Sequence, residues 1–245
     1  MAHDWACWHK HYDKSRPLQK RLRVVCAQIH EALGECAAGP IRVASVCSGD
    51  GRDIIAALSE HPRRADARAW LLDTNEESLR RGRILAASAG IAEQMQFVPA
   101  DASLASSYAG IAPVDVLIVS GVLGHLRHAD VAQFILHLPT LCRKGASVIW
   151  NRHLVIHDGE AQVPVIRKQL FQAGFEEAHY ETASQKGFAV GRARFIGNPQ
   201  AFNPDPRFFE FVGADILDGR SREPRPKKTI WSQSRALLRK ILPLL

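Results

Sequence analysis

The chain has 245 residues, of which 46% are hydrophobic, 23% are charged and 7% are aromatic, and its mean hydropathy is slightly negative. This composition is typical of a globular protein with a core of its own, and it excludes disordered, collagen-like and polytopic membrane proteins. The net charge of +7 comes from residues 219–245, where eight basic residues accompany one acidic residue. The rest of the chain is neutral in sum, which makes a nucleic-acid partner a weak hypothesis.

Apolar runs and helical patterns alternate along the first two thirds of the chain. Apolar residues recur at helical spacing over residues 18–33, and a break follows at Gly39 and Pro40. Residues 41–47 then predict a buried strand, and residues 53–60 predict a helix after a glycine turn. Further strands are predicted at 67–72, 95–98, 114–119 and 147–150, with helices at 76–89, 129–141 and 163–173.

The last two predicted strands, residues 176–181 and 188–195, follow each other without a helix between them. The preceding alternation favours a parallel sheet with right-handed crossovers, and a closing hairpin adds an antiparallel strand to it. The predicted fold is therefore α/β: a Rossmann-like, seven-stranded, mostly parallel sheet with helices on both faces and a closing antiparallel strand.

Polar and small residues follow the predicted strands at the edge where such sheets bind ligands. They form our predicted cofactor site: Cys47, Ser48, Gly49, Asp50, Gly51 and Asp53 after the first strand, Asp73 and Thr74 after the second, Asp101 and Ala102 after the third, and Ser120 and Gly121 after the fourth. Residues 151–153 follow the fifth predicted strand.

The first turn resembles a dinucleotide fingerprint only in part, because Ile54 occupies the position of the third glycine. Asp50 and Asp53 would lie where a dinucleotide places its pyrophosphate, so carboxylates would oppose phosphates. Arg52 offsets part of that repulsion. The turn therefore favours a ligand that has no phosphate and carries positive charge, and it makes an NAD-type oxidoreductase a weak alternative.

S-adenosylmethionine is such a ligand, because it carries a sulfonium, an ammonium and a carboxylate. Glycines allow the backbone to approach its methionine part, the helix N-terminus can receive the carboxylate, and acids can meet the cationic part. Asp73 lies 22 residues beyond Gly51, close to the spacing at which an acid binds a ribose diol. Asp101 ends the third strand and could accept a hydrogen bond from the adenine amino group. For Asp53 a helix N-cap is an equally good interpretation.

Four segments resemble the class I S-adenosylmethionine-dependent methyltransferases: residues 43–53, 71–73, 99–102 and 114–124. More narrowly, the chain resembles a bacterial group of predicted methyltransferases with an N-terminal Trp-x-x-Trp-His-x-x-Tyr segment, here Trp5 to Tyr12, and a Trp-x-Arg-His strand end, here Trp150 to His153. The resemblance covers roughly residues 5–213 and implies S-adenosylmethionine as cofactor. The chain departs from this group at Leu72, where an acid is common, and at His125, where an asparagine is common.

The predicted reaction is methyl transfer from S-adenosylmethionine to a small-molecule acceptor, through oxygen or nitrogen. His125 and His153 follow the fourth and fifth strands and are our candidates for a general base or an acceptor-binding residue; ordinary surface or core histidines are the alternative. No metal is predicted, because no histidine pair has the His-Glu-x-x-His form and the five cysteines form no Cys-x-x-Cys. Free cysteines and the lack of a signal-like start favour the cytoplasm.

The expected domain organisation is an N-terminal helical lid at 1–38, a methyltransferase domain at 39–213, and a basic linker with an amphipathic helix at 214–245. Trp5, Trp8, His9 and Tyr12 either cover the site or simply pack on the sheet. The final helix either packs on the protein or in a dimer, or makes a peripheral contact with an anionic membrane through residues 220–245. A non-catalytic cofactor-binding module and a lipid-headgroup methyltransferase therefore remain alternatives. The sequence leaves the acceptor and the oligomeric state open.

Overall fold

The computed structural model describes residues 16–182 and 187–217. The strands in these residues are β1 (Ile41–Val46), β2 (Ala67–Asp73), β3 (Met95–Pro99), β4 (Val114–Val119), β5 (Cys142–His153), β6 (Phe175–Thr182) and β7 (Phe188–Phe195). They form one sheet in the order β3-β2-β1-β4-β5-β7-β6. β1 to β5 are parallel, whereas β7 is antiparallel to both of its neighbours. The predicted fold class is confirmed.

Helices cover the sheet on both sides. They are α1 (Arg16–Glu35), α2 (Arg52–Ser59), α3 (Glu76–Ser88), α4 (His128–Leu141), α5 (Gly159–Gln172) and the short α6 (Ala214–Leu217). The side chains of β4 show the two layers, since Val116 and Ile118 belong to the core cluster under α1 to α3, and Leu117 and Val119 belong to the cluster under α4 and α5. Burial on both faces explains why the central strands are almost entirely apolar.

The largest departure from the predicted elements is β5. The strand was expected at 147–150, but it begins at Cys142, which pairs with Val114 of β4, and it continues to His153 because residues 147–153 pair with β7 along their whole length. Residues 151–153 therefore belong to the strand and do not form a loop after it. A strand pairing of this kind is long-range, and local apolar runs do not report it.

Helix α1 is fixed to the sheet by a buried cation. Arg192 of β7 is 4% exposed, and its guanidinium donates to Gln28 Oε1 at 3.0 Å, Glu31 Oε2 at 3.1 Å and Glu35 Oε2 at 2.7 Å. These three acceptors lie on one face of α1, at spacings of three and four residues. The network sets the position of α1 relative to the carboxyl end of the sheet.

Two of the sequence-based expectations fall outside the described residues. Trp5, Trp8, His9 and Tyr12 belong to residues 1–15, and nearly all of the basic linker and amphipathic helix belongs to residues 218–245. The expected division at 38/39 and 213/214 stays a prediction. Within the parts of the chain that the structure describes, no helix is long and apolar enough to cross a membrane.

Candidate active site

A cavity of about 460 Å³ opens at the carboxyl ends of β1 to β4. The predicted cofactor residues that line it are Cys47, Ser48, Gly49, Asp50, Asp53, Asp73, Thr74, Asp101, Ala102, Ser120 and Gly121. Gly51 is the predicted cofactor residue that does not line it. Because parallel strands end at the same edge, residues up to 74 positions apart in sequence meet around one space.

The turn after β1 is built from residues in the left-handed region of backbone space. Cys47, Gly49 and Gly51 have φ angles of 49°, 59° and 66°. A Cβ atom on Gly51 would lie 2.1 Å from Leu71 Cδ2, so this glycine is required for packing against β2 and not for ligand access. Gly49 instead faces the cavity with its backbone.

Asp73 connects the two turns at the centre of the site. Its Oδ2 accepts from the Gly49 backbone N–H at 2.7 Å, and its Oδ1 accepts from the Asn75 N–H at 2.8 Å. Each carboxylate oxygen can accept a further hydrogen bond, so the side chain can hold the loop and a ligand hydroxyl at once.

The two acids of the first turn differ in charge balance. Asp50 is 3% exposed, and Arg52 Nε and Nη2 donate to its two oxygens at 3.0 and 2.6 Å. Its charge is therefore balanced by Arg52. Asp53 Oδ1 accepts from the Ile54 N–H at 2.8 Å, and burial raises the pKa of its carboxyl although the nearby Arg21 opposes the shift. The N-cap of α2 is Gly51, so the interpretation of Asp53 as N-cap is wrong; Asp53 lines the cavity.

Asp101 lies at the opposite end of the cavity from Gly121. Its Oδ1 accepts from the Ser103 N–H at 2.9 Å, and its Oδ2 lies 3.3 Å from Arg207 Nη1. Burial alone would raise the pKa of Asp101, but the hydrogen bonds from Ser103 and the charge of Arg207 hold it below its ordinary value. The side chain remains an ionised acceptor at neutral pH.

Sequence reasoning missed one wall of the cavity. Residues 203–213, which we name the C-terminal strap, cross the edge of the sheet and contribute Arg207, Phe209, Glu210 and Phe211 to the lining. The Phe208 N–H donates to the Ser103 carbonyl at 2.7 Å, and the Val212 N–H donates to the His125 carbonyl at 3.0 Å. The three phenylalanines within residues 208–211 could have indicated that this segment packs on the protein, because aromatic side chains are seldom left exposed in a loop.

Helix α1 supplies a second missed contribution, since Arg21 and Leu22 line the cavity. Asn75, Ser78, Ser103 and Arg52 complete the set of lining residues that were not among the predicted site residues. Arg21 belongs to a helix whose apolar residues, spaced along one face, indicated only that this face packs on the core. No local pattern distinguishes a buried arginine from an exposed one on such a helix.

The two candidate histidines are separated by the structure. His125 lines the cavity, and its ring stacks on Phe211 with centroids 5.0 Å apart and an interplanar angle of 13°. His153 ends β5 and is not among the residues that line the cavity within the described chain. Its Nδ1 accepts from the Val155 N–H at 3.1 Å, so this nitrogen already holds the following turn. Of the two candidates, His125 is therefore the one placed to contact a ligand in the cavity.

The strand-end motif, Trp150 to His153, is held by burial and by hydrogen bonds within the protein. Trp150 is 3% exposed, Asn151 Oδ1 accepts from the Gly121 N–H at 2.6 Å, and the 2% exposed Arg152 donates to the His157 carbonyl. Asn151 thereby shapes the turn after β4 from below the cavity. Among the described residues, no group of three or more His, Cys, Asp or Glu is placed to hold a metal ion.

The sheet order, the antiparallel β7 and the cavity at the strand ends define a Rossmann-like methyltransferase fold. A family model described as "Putative methyltransferase" matches residues 11–151, which is more than half of the sequence. The chain therefore belongs to this methyltransferase family.

Solved structures support the fold. The magnesium protoporphyrin IX methyltransferase of Synechocystis PCC 6803, solved with S-adenosylhomocysteine, is 15% identical, with a TM-score of 0.60 over 78% of this chain and 94% of that one. The 1,6-didemethyltoxoflavin-N1-methyltransferase of Burkholderia thailandensis, solved with its substrate and S-adenosylhomocysteine, is 20% identical, with a TM-score of 0.54 over 78% of this chain and 87% of that one. A search of curated proteins found no match.

Proposed function

We propose that this protein transfers a methyl group from S-adenosylmethionine to a small-molecule acceptor. The observation that carries the proposal is the order of polar groups around one cavity: Asp101 at one end, Asp73 in the middle, and the Gly49 turn with Gly121 at the other. Membership of a methyltransferase family supports it. So do the two similar enzymes described above, which were solved with S-adenosylhomocysteine.

The residues present fit this cofactor by their chemistry. Asp101 can accept from the adenine amino group, and the oxygens of Asp73 have lone pairs left for the ribose hydroxyls after binding two backbone N–H groups. The positive φ angles of Gly49 and Cys47 turn the backbone so that a ligand can approach it closely. The volume of about 460 Å³ lies within the range of small-ligand pockets.

S-adenosylmethionine supplies an activated methyl group on a positively charged sulfur, which leaves as a neutral thioether. The protein must then align an acceptor lone pair with the methyl carbon, opposite the sulfur, and exclude water. A hydroxyl acceptor must also lose its proton. His125 is the proposed base, because it lines the cavity and its ring is held by stacking on Phe211.

The proposed acceptor is a small molecule with an apolar or aromatic part. Phe209 and Phe211 of the C-terminal strap line the cavity together with His125, and Phe211 is 37% exposed. Aromatic side chains in the lining are typical of pockets that bind such ligands. The two similar enzymes are named as methyltransferases of a magnesium protoporphyrin and of a didemethyltoxoflavin, which are small molecules.

Calorimetric titration with S-adenosylmethionine tests the site. We expect binding to the unchanged protein and roughly 10- to 100-fold weaker binding to Asp73→Asn, because charge-assisted hydrogen bonds contribute about 1.5–3 kcal/mol each. Asp66→Asn is the matched control, since Asp66 precedes the same strand at the end away from the cavity. Equal affinity of the Asp73 variant and the unchanged protein would refute the site.

Labelling of cell-extract fractions with a methyl-labelled donor tests the activity and identifies the acceptor. We expect label in a small-molecule fraction, and loss of that label with Asp73→Asn. Label in lipid would instead support a headgroup acceptor. Binding of the cofactor without label in any fraction would contradict the proposed catalytic role.

A further inference from the structure

Arg21 is a buried cation at the edge of the proposed cofactor site. The residue lies in the second turn of α1, is 4% exposed and lines the cavity. Its guanidinium lies over the Phe188 ring, 5.0 Å from the ring centroid, so β7 supports it from below. Burial of a charge is costly, and a buried arginine beside a ligand cavity is therefore a candidate for recognition of an anion.

Arg21 lies at the end of the cavity that is next to β4. Its Nη1 lies 3.9 Å from the position that a Cβ atom on Gly121 would take, beside the turn after β4. Asp53 interacts with it electrostatically from the first turn of α2. Burial lowers the pKa of Arg21 to about 10 although Asp53 opposes the shift, so the guanidinium stays charged at neutral pH.

The strand order fixes how the cofactor must extend. Asp101 follows β3 and Asp73 ends β2, and these two acids suit adenine and ribose. A ligand that continues in the same direction passes β1 and reaches the end of β4, where Gly121, Asp53 and Arg21 lie. That end would contain the amino-acid part of S-adenosylmethionine, which carries one carboxylate and one ammonium. A cation and an acid side by side match this pair of charges.

We propose that Arg21 binds the carboxylate of the methionine part of S-adenosylmethionine, so that helix α1 completes the cofactor site. The inference rests on the proposed function above. It extends the site to an element that precedes all four motif segments in the sequence. It also gives the Arg192 network a role in the site, because that network positions α1 against β7.

The test compares two ligands that differ in the amino-acid part. S-adenosylhomocysteine has the amino-acid part, and 5′-methylthioadenosine has the same nucleoside and sulfur without it. By calorimetry we expect Arg21→Gln to bind S-adenosylhomocysteine roughly 10- to 100-fold more weakly and methylthioadenosine with unchanged affinity. Arg23→Gln is the matched control, since Arg23 is exposed on the same helix and does not line the cavity.

A second arm changes the carboxylate of the ligand and first uses the unchanged protein, so that misfolding of a variant cannot decide that comparison. The amide of S-adenosylhomocysteine at its carboxyl group should bind the unchanged protein more weakly than the free acid, and Arg21→Gln should bind acid and amide equally. Unaltered affinity of Arg21→Gln for S-adenosylhomocysteine, or an equal loss for both ligands of the first arm, would overturn the role of Arg21. Failure of the unchanged protein to bind either ligand of that arm would overturn the proposed function itself.

Discussion

The substitution Gly82→Ala should have two opposing effects on stability, a gain in helix propensity and a loss from overpacking. Gly82 lies in the middle of α3, where alanine is favoured over glycine by about 1 kcal/mol. However, a Cβ atom there would lie 2.4 Å from Phe97 Cε1 and 2.7 Å from the Asp50 carbonyl oxygen. Overpacking costs about 1–3 kcal/mol, and two contacts this short, one of them to backbone, put this substitution in the upper part of that range, at about 2–3 kcal/mol. The Asp50 carbonyl belongs to a tight turn between Gly49 and Gly51, both with positive φ, so it has little freedom to move.

We therefore expect packing to outweigh propensity and Gly82→Ala to lower the free energy of unfolding by about 1–2 kcal/mol. For a domain of this size, that loss lowers the melting temperature by roughly 2–8 °C. Affinity for S-adenosylhomocysteine should fall as well, because the displaced turn lines the cavity. Urea unfolding and calorimetric titration measure the two effects.

Ser88→Ala is the control on the same helix. Ser88 is exposed, so the substitution gains helix propensity without a new contact and should stabilise by a few tenths of a kcal/mol. If Gly82→Ala also stabilised the protein, or left cofactor affinity unchanged, the close contact between α3 and the turn after β1 would not constrain the site, and the reasoning would be wrong.

Three further predictions concern buried polar groups. Arg192→Met should destabilise the protein by about 1–2 kcal/mol at pH 7, less than for a fully buried pair because its glutamate partners are partly exposed. The hydrogen bond from Arg192 holds the pKa of Glu35 below its ordinary value of 4.5, so its stabilisation is present above pH 4.5 and is lost as pH falls through the folded value. Urea unfolding between pH 7 and pH 3 should therefore show a shallower acid dependence in the variant, and an identical slope would contradict this. Asn151→Leu should cost about 0.5–1.5 kcal/mol in urea unfolding, because the partly buried Gly121 N–H after β4 loses its acceptor; a neutral result would refute the contact. Burial raises the pKa of Cys26 to about 12 and of Cys36 to about 11, so both should react slowly with iodoacetamide at pH 8 until urea is added, and fast native alkylation would be inconsistent with the structure.

The features predicted correctly from sequence are those that local residues determine. The apolar run before Cys47, the glycine turn and the helix after it are adjacent in the chain, and together they indicate one strand, turn and helix. Asp73 and Asp101 could be assigned to the same edge because each lies at or just after the carboxyl end of a predicted strand, and parallel strands end at one edge. The sheet topology follows from repetition of this unit.

The features that were missed depend on contacts between distant parts of the chain. The length of β5 is set by pairing with β7, and this pairing removes His153 from the loop position that made it a candidate base. The C-terminal strap has no periodicity, and its place beside Ser103 depends on hydrogen bonds between segments about 100 residues apart. The pairing of Asp50 with Arg52 also required coordinates, because an acid in a turn can equally face water.

The closing antiparallel strand connects these findings. At its start β7 presents Phe188, whose ring lies under the guanidinium of Arg21, and four residues later it presents Arg192 to Glu31 and Glu35. The strand therefore contacts α1 near both ends of the helix. A helix fixed at two points cannot rotate or slide without breaking one of them, so its side chains reach the cavity in a fixed register. Within the described chain, β7 contributes no residue to the cavity lining. It nevertheless fixes the position of Arg21 in the cavity, because it holds the helix that carries this residue.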